Sequence, residues 1–208
     1  VSQIGLPFDW SGQGMEGAFL VSEANHIAVR HLEAWRDWKV QTSILSGPPK
    51  SGRSTLARQF QALSEGRVIE QAEEVGDEAL FHAWNRAQLD RRPLLLIADR
   101  PPAEWSVTLP DLQSRLAAAP HVRIEAPDEA LVHGLIEQGL AAAGTAWAPD
   151  VPDFLTRRIE RSYAVVAAVI DELNRASVSS GRKISVGLSK EVLQSVGLLP
   201  IIDGDPAS

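Results

Sequence analysis

Apolar and polar positions follow two regimes along this chain. Up to about Pro127, short continuous apolar runs alternate with stretches of helical spacing; beyond it only helical spacing remains. The first apolar run is Thr42–Leu45. A helix is predicted before it, from about His26 to Trp38, with Ser22 as N-cap and Ile27, Leu32 and Trp35 on the buried side. After a Gly/Pro loop, Leu56, Phe60 and Leu63 share a face of a second helix, which Ser64-Glu65-Gly66 ends. Arg67–Glu70 reads as a short strand, and Leu80, Phe81 and Trp84 mark the next helix. Leu94–Ala98 is the most strand-like run; unbroken apolarity between turn signals suits a strand buried on both faces, as in a parallel sheet. A short helix containing Ser114-Arg115-Leu116 and a strand at His121–Ile124 close this region. Asp128 then caps a helix carrying Leu131, Leu135, Ile136 and Leu140. Others follow near Pro152–Ile159, at Ser162–Ser180 (with Tyr163, Val166, Ile170 and Leu173 inward and Gly181 after it), and from about Ser189 to Gly197. The expected organisation is an N-terminal segment and linker at 1–17, an α/β base at 18–125, a helical lid at 126–200 and a tail at 201–208.

Between the first strand and the second helix stands Gly47-Pro48-Pro49-Lys50-Ser51-Gly52-Arg53-Ser54-Thr55. Strand, glycine loop, helix is the context of a phosphate-binding loop. The glycines permit the tight turn that aims successive N–H groups at phosphate oxygens, and the helix start adds its free N–H groups and dipole. The pattern is G-x-x-x-x-G-K-[ST] with Arg53 in the lysine position. A planar guanidinium does not sit between two phosphates as a point charge does. The bland alternative is an ordinary connecting loop. Asp99, just past the central strand, lies where open α/β sheets bind ligands.

Composition narrows the chemistry. Among 208 residues, hydrophobic content of 44% and charged content of 23% suit a globular protein, and with no cysteine, disulfides and thiolate sites are excluded. The five histidines show no metal spacing with carboxylates, and most read as surface or capping residues. A net charge of −7, with neither half cationic, does not indicate direct DNA binding by phosphate neutralisation. No apolar run reaches the roughly 20 residues that span a bilayer, and no signal-peptide pattern opens the chain; a cytoplasmic protein is the expectation. The acidic run Glu73, Glu74, Asp77 and Glu78 is accounted for by the dipole of the helix it precedes.

The first ten residues carry Leu6, Phe8 and Trp10 without periodicity, and a Gly/Ser/Gln-rich connector follows. Two readings stand: these side chains fold back onto the core, or they form a linear motif that docks in a partner groove.

Strand–helix alternation followed by helices alone resembles an AAA+ module, a doubly wound parallel sheet of P-loop type with a small lid. Arg100-Pro101-Pro102, Trp105, Leu109-Pro110-Asp111-Leu112 and Ser114-Arg115-Leu116, with Asp171–Ser177 and Arg182-Lys183-Ile184 in the lid, resemble the bacterial Hda family, truncated relatives of the replication initiator DnaA. The likeness runs over nearly the whole chain. It implies that Gln3-Ile4-Gly5-Leu6-Pro7-Phe8 is similar to the family's motif for the DNA sliding clamp, the polymerase III beta subunit. Gln3 would hydrogen-bond at the clamp surface, Leu6 and Phe8 would fill an apolar pocket, and Pro7 would lower the entropy lost on ordering. It further implies that Arg115 is an arginine finger offered to the ATP-loaded initiator, whose hydrolysis it promotes, so that replication initiation is negatively regulated. DNA is then met only through the clamp, and no membrane is involved.

The departures concern the chain's own nucleotide. The strand in the Walker B position ends in Glu70-Gln71, and Gln71 carries no charge for Mg2+. About a dozen residues, Thr55 to Gly66, separate loop and strand, where a full βαβ unit takes about 30. One strand–helix unit is expected to be missing, leaving about four strands and an exposed sheet edge. The lid position of the family's nucleotide-sensing arginine falls at Ala164, with Arg161 three residues earlier. The expectation is an adaptor without turnover of its own. ADP would be held by the amides of Gly47–Ser54 with Asp99 as a polar sensor, and Mg2+ is poorly supported. A homodimer is compatible with this layout. The competing readings are a divergent AAA+ ATPase of initiator or loader type, and a P-loop scaffold kept only for protein contacts.

Overall fold

The computed structural model describes residues 19–198. The predicted clamp motif (Gln3, Leu6, Pro7, Phe8) and the tail at 201–208 lie outside them. The chain divides into two units, 21–126 and the residues from 127 onward, with Leu20 grouped with the second.

The first unit is built on four parallel strands, β1 (Thr42–Ser46), β2 (Arg67–Ile69), β3 (Leu94–Ala98) and β4 (His121–Arg123), in the order β2-β3-β1-β4. All five residues of β1 and of β3 are buried, as their unbroken apolar runs require of central strands. Ile44 sits opposite Leu96 on one side and His121 on the other. One face carries Ile44, Leu94, Leu96 and Ala98 under Leu80 and Trp84 of α3 (Asp77–Asp90) and Leu112 and Leu116 of α4 (Pro110–Ala118). Strand alternation sends Leu45, Leu95 and Ile97 to the other face, where α1 (His26–Glu33) packs on β4 and α2 (Arg53–Ser64) packs on β3. Among the described residues β2 has a single strand neighbour, so the shortened stretch does leave an outer edge.

Several local predictions are corrected. The first helix stops at Glu33 rather than Trp38, and a 3-10 turn covers Trp35–Asp37. The Trp38 indole folds back instead, donating Nε1–H to the His31 carbonyl at 3.0 Å and stacking on His31 and Phe60. Its buried side is Ala28, Val29 and Leu32, while Ile27 is exposed. Asn25, not Ser22, is the N-cap; the Ser22 carbonyl instead accepts from the Asn25 and His26 amides in the preceding turn. Leu63 is also exposed. Ser64 takes the inward position there, because its hydroxyl donates to the Phe60 carbonyl and accepts from Gly66 N–H.

Two histidines hydrogen-bond buried serines: His31 is half-buried, while His121 stays exposed on edge strand β4. His31 Nε2 lies 2.7 Å from the Ser43 hydroxyl, and His121 Nε2 lies 2.7 Å from that of Ser46, both on buried β1. Burial lowers both pKa values, with Arg123 adding to the effect at His121. A lowered histidine pKa means that the unfolded chain takes up the proton first as pH falls. The stability from these neutral imidazoles is therefore present above about pH 6.5 and lost as pH drops through the folded values. A denaturant midpoint should fall between about pH 7.5 and 5.5, and His31→Gln with His121→Gln should flatten that slope.

The second unit holds α5 (Glu129–Ala142), α6 (Val151–Thr156), α7 (Tyr163–Ser180) and α8 (Val186–Ser195) around Ile136, Leu140, Leu155, Leu173 and Leu193. Asp128 caps α5, accepting from Leu131 N–H at 2.7 Å, and Gly181 ends α7 at φ 65. α8 begins three residues earlier than its spacing predicts, because Ser185 is its cap and accepts from Leu188 N–H. Ile184 pairs with Trp147, which fixes the link before it.

Candidate functional site

The glycine loop joins β1 to α2, and its shape follows from close packing. A Cβ on Gly47 would sit 3.0 Å from both the Cβ and the carbonyl oxygen of Ile124. Lys50 (φ 65) and Gly52 (φ 89) are left-handed, and Ser51 N–H bonds the Pro48 carbonyl at 3.3 Å. Left-handed residues in a tight turn gather successive N–H groups into an anion-binding concavity, here at a helix start. Pro49 and Lys50 are exposed, whereas Ser51 is 5% exposed and its hydroxyl has no hydrogen-bond partner among the described residues.

The side chains are otherwise engaged within the chain. The Arg53 guanidinium, 13% exposed, donates Nη1 to the Ala98 carbonyl and Nη2 to Asp99 Oδ1. Asp99 N–H donates to Glu73 Oε1 at 2.6 Å, and Ser54 Oγ donates to Glu70 Oε2 at 3.2 Å. Thr55 accepts from Arg58 at 3.4 Å. The ends of β1, β2 and β3 thus bring together residues far apart in sequence, at the carboxyl edge where such sheets bind ligands. Asp99 is the counter-ion of Arg53. Glu73, which sequence reasoning assigned to the helix dipole, holds Asp99 in place.

The cradle therefore fits a phosphate by its backbone, while its cation is already neutralised. No cluster of three or more histidine or carboxylate side chains able to hold a metal occurs among the described residues. With Asp99 56% exposed, the ion pair is of the kind worth about 0–1 kcal/mol, which an incoming phosphate can replace. For a nucleotide held in this loop, Asp99→Asn is accordingly expected to tighten binding by up to about fivefold, since it removes a competing pair worth at most about 1 kcal/mol. Calorimetric titration checks this; weaker binding would make Asp99 a support for the ligand instead.

Arg115 lies on α4, away from the loop in sequence, and its side chain is 28% exposed. Its guanidinium stands 4.4 Å over the Phe81 ring, donates Nη1 to Asn85 Oδ1, and donates Nη2 to Asp111 Oδ2 at 3.0 Å. Phe81 faces this arginine on α3 instead of joining Leu80 and Trp84 fully inside. The entry to α4 is tied down by Asp77, whose Oδ2 accepts from Thr108 Oγ1 and N–H at 2.7 Å and from Leu109 N–H at 2.9 Å. These bonds hold the Asp77 carboxyl below the usual range, the Thr108 hydroxyl most of all. In the helical unit, Arg161 donates to Glu129 Oε2 at 2.7 Å, and Ala164 is exposed on the first turn of α7.

No protein-family model matches the chain. Solved structures do. Domain III of the Thermotoga maritima replication initiation protein DnaA superposes with a TM-score of 0.73 at 15% identity, covering 85% of this chain and 94% of that one. AMPPCP-bound DnaA from Aquifex aeolicus gives 0.61 at 15%, covering 79% and 67%. The Thermotoga maritima RuvB Holliday junction branch migration motor gives 0.64 at 14%, covering 86% and 70%. The fold is that of an AAA+ module. Identities this low carry the fold and nothing finer. Within that fold the neighbours include both DnaA and RuvB.

Proposed function

We propose that the chain is an adaptor that promotes hydrolysis of ATP bound to the initiator DnaA, and so limits replication initiation. The supporting observation is Arg115, 28% exposed on a helix, its guanidinium held over Phe81 and by Asn85 and Asp111, with N–H groups left over beyond those two acceptors among the described residues. Arg53, in the chain's own loop, is less exposed at 13% and bonds Ala98 and Asp99. An arginine placed against a neighbour's γ-phosphate stabilises the charge that develops as the phosphoryl group transfers. The partner supplies its own Mg2+ and attacking water.

The sliding clamp, through Gln3, Leu6, Pro7 and Phe8, concentrates the adaptor on DNA. ADP is a candidate resident of the loop, held by backbone amides without turnover. The test is single-turnover hydrolysis of labelled ATP preloaded on DnaA, with DNA-loaded clamp present. Adding this chain should accelerate phosphate release, and the chain alone with Mg-ATP should release none. Turnover by the chain alone would favour the divergent-ATPase reading, and unchanged release without it the scaffold reading.

A further inference from the structure

The Arg115 side chain is held by more than its own helix. Phe81 and Asn85 are four residues apart on α3 and so share a face. Phe81 presents its ring to the guanidinium plane at 4.4 Å, and Asn85 accepts at one edge. Asp111, on α4, accepts at Nη2. Asp77 anchors Thr108 and Leu109 just before α4 and so fixes the register of α4 against α3.

Left alone, an arginine on a helix surface samples many rotamers and reaches a phosphate only after losing them. A ring beneath the guanidinium plane and a neutral acceptor at its edge remove that freedom in advance without neutralising the charge. Asp111 differs, because its negative charge competes with phosphate. It is the contact that an incoming γ-phosphate displaces.

We propose that Phe81 and Asn85 are positioning residues for Arg115, a cradle on α3 that presents the guanidinium to the partner's triphosphate. The inference rests on the adaptor reading above and adds to it two residues that touch no nucleotide. Sequence spacing gives no hint of it, because the α3 face that meets α4 is set by the packing of both helices on the sheet.

The test measures clamp-dependent stimulation of ATP hydrolysis on DnaA against adaptor concentration. Full-length Phe81→Leu, Phe81→Tyr, Asn85→Ala and Arg115→Ala are compared with the unaltered protein. Phe81→Leu keeps an apolar side chain but removes the ring, and Asn85→Ala removes the acceptor. Both should lower the maximal rate about tenfold and leave the half-saturating concentration unchanged, while Phe81→Tyr restores the rate. Asn85 is exposed, so its truncation leaves the fold intact and decides the matter if Phe81→Leu unfolds. Full stimulation by Asn85→Ala, or a change confined to the half-saturating concentration, overturns the cradle. Loss in Arg115→Ala with full activity in the two α3 variants overturns the cradle alone; full activity in Arg115→Ala removes Arg115 from the chemistry, and no stimulation by the unaltered protein overturns the adaptor reading beneath it.

Discussion

Arg115→Ala is expected to return ATP hydrolysis on the initiator to its unstimulated rate, a fall on the order of 10³-fold. The size follows from where the charge acts. A guanidinium brought to a transferring phosphoryl group inside a closed interface works at low dielectric and pre-aligned, so its loss is felt almost wholly in the transition state. The same substitution should leave the fold standing. At the surface it gives up a cation–π contact with Phe81 and an exposed pair with Asp111, together about 1 kcal/mol. Binding to the clamp should not change. Single-turnover rates with matched clamp occupancy check the prediction, and stimulation retained by the alanine protein would remove Arg115 from the chemistry.

The second large effect concerns Leu6 and Phe8. Replacing both by alanine should weaken clamp association on the order of 10³-fold, because burying each such side chain in a groove contributes about 1.5–3 kcal/mol. Pro7 between them restricts the free peptide and reduces the ordering cost, so the anchors return most of their burial energy as affinity. Calorimetry with purified clamp reads this directly. Hydrolysis on the initiator should then need far more adaptor, with the maximal rate preserved. Normal clamp affinity in the double variant would mean that these side chains serve the chain's own fold.

Two different parts of the molecule would then fail in two different ways, one in rate and one in concentration dependence. The separation matches the way the sequence is laid out. The strands were legible because β1 and β3 are central: five consecutive buried residues leave an unbroken apolar run that nothing else explains. The capped helix after Asp128 was legible because a cap is a local interaction. Leu63 and Ile27 were misread, since helical spacing says which residues share a face but not where the neighbouring element stops covering it. Trp38 shows the same limit, as its ring reaches Phe60 across the fold and ends the first helix early.

At the site, the glycine loop could be read from its pattern because its shape is dictated by neighbours in sequence. The Arg53–Asp99 pair could not, because it joins positions brought together only when β1 and β3 align. Glu73 and Asn85 were missed for the same reason: each looks like an ordinary polar residue until the partner element is in place. The acidic run before α3 shows how a sufficient local explanation can conceal a tertiary one. Only Asp77 and Glu78 stand in the first turn of α3, while Glu73 and Glu74 belong to a 3-10 turn before it; Glu73 orients Asp99, and Asp77 also fixes the approach to Arg115.

The most direct measurement is a structure of this chain bound to clamp and to DnaA loaded with a non-hydrolysable ATP analogue. Arg115 is predicted to lie within about 3 Å of a γ-phosphate oxygen of the partner's nucleotide, with Phe81 still beneath it. An interface that leaves Arg115 closed on Asp111 and remote from that phosphate would contradict the proposal.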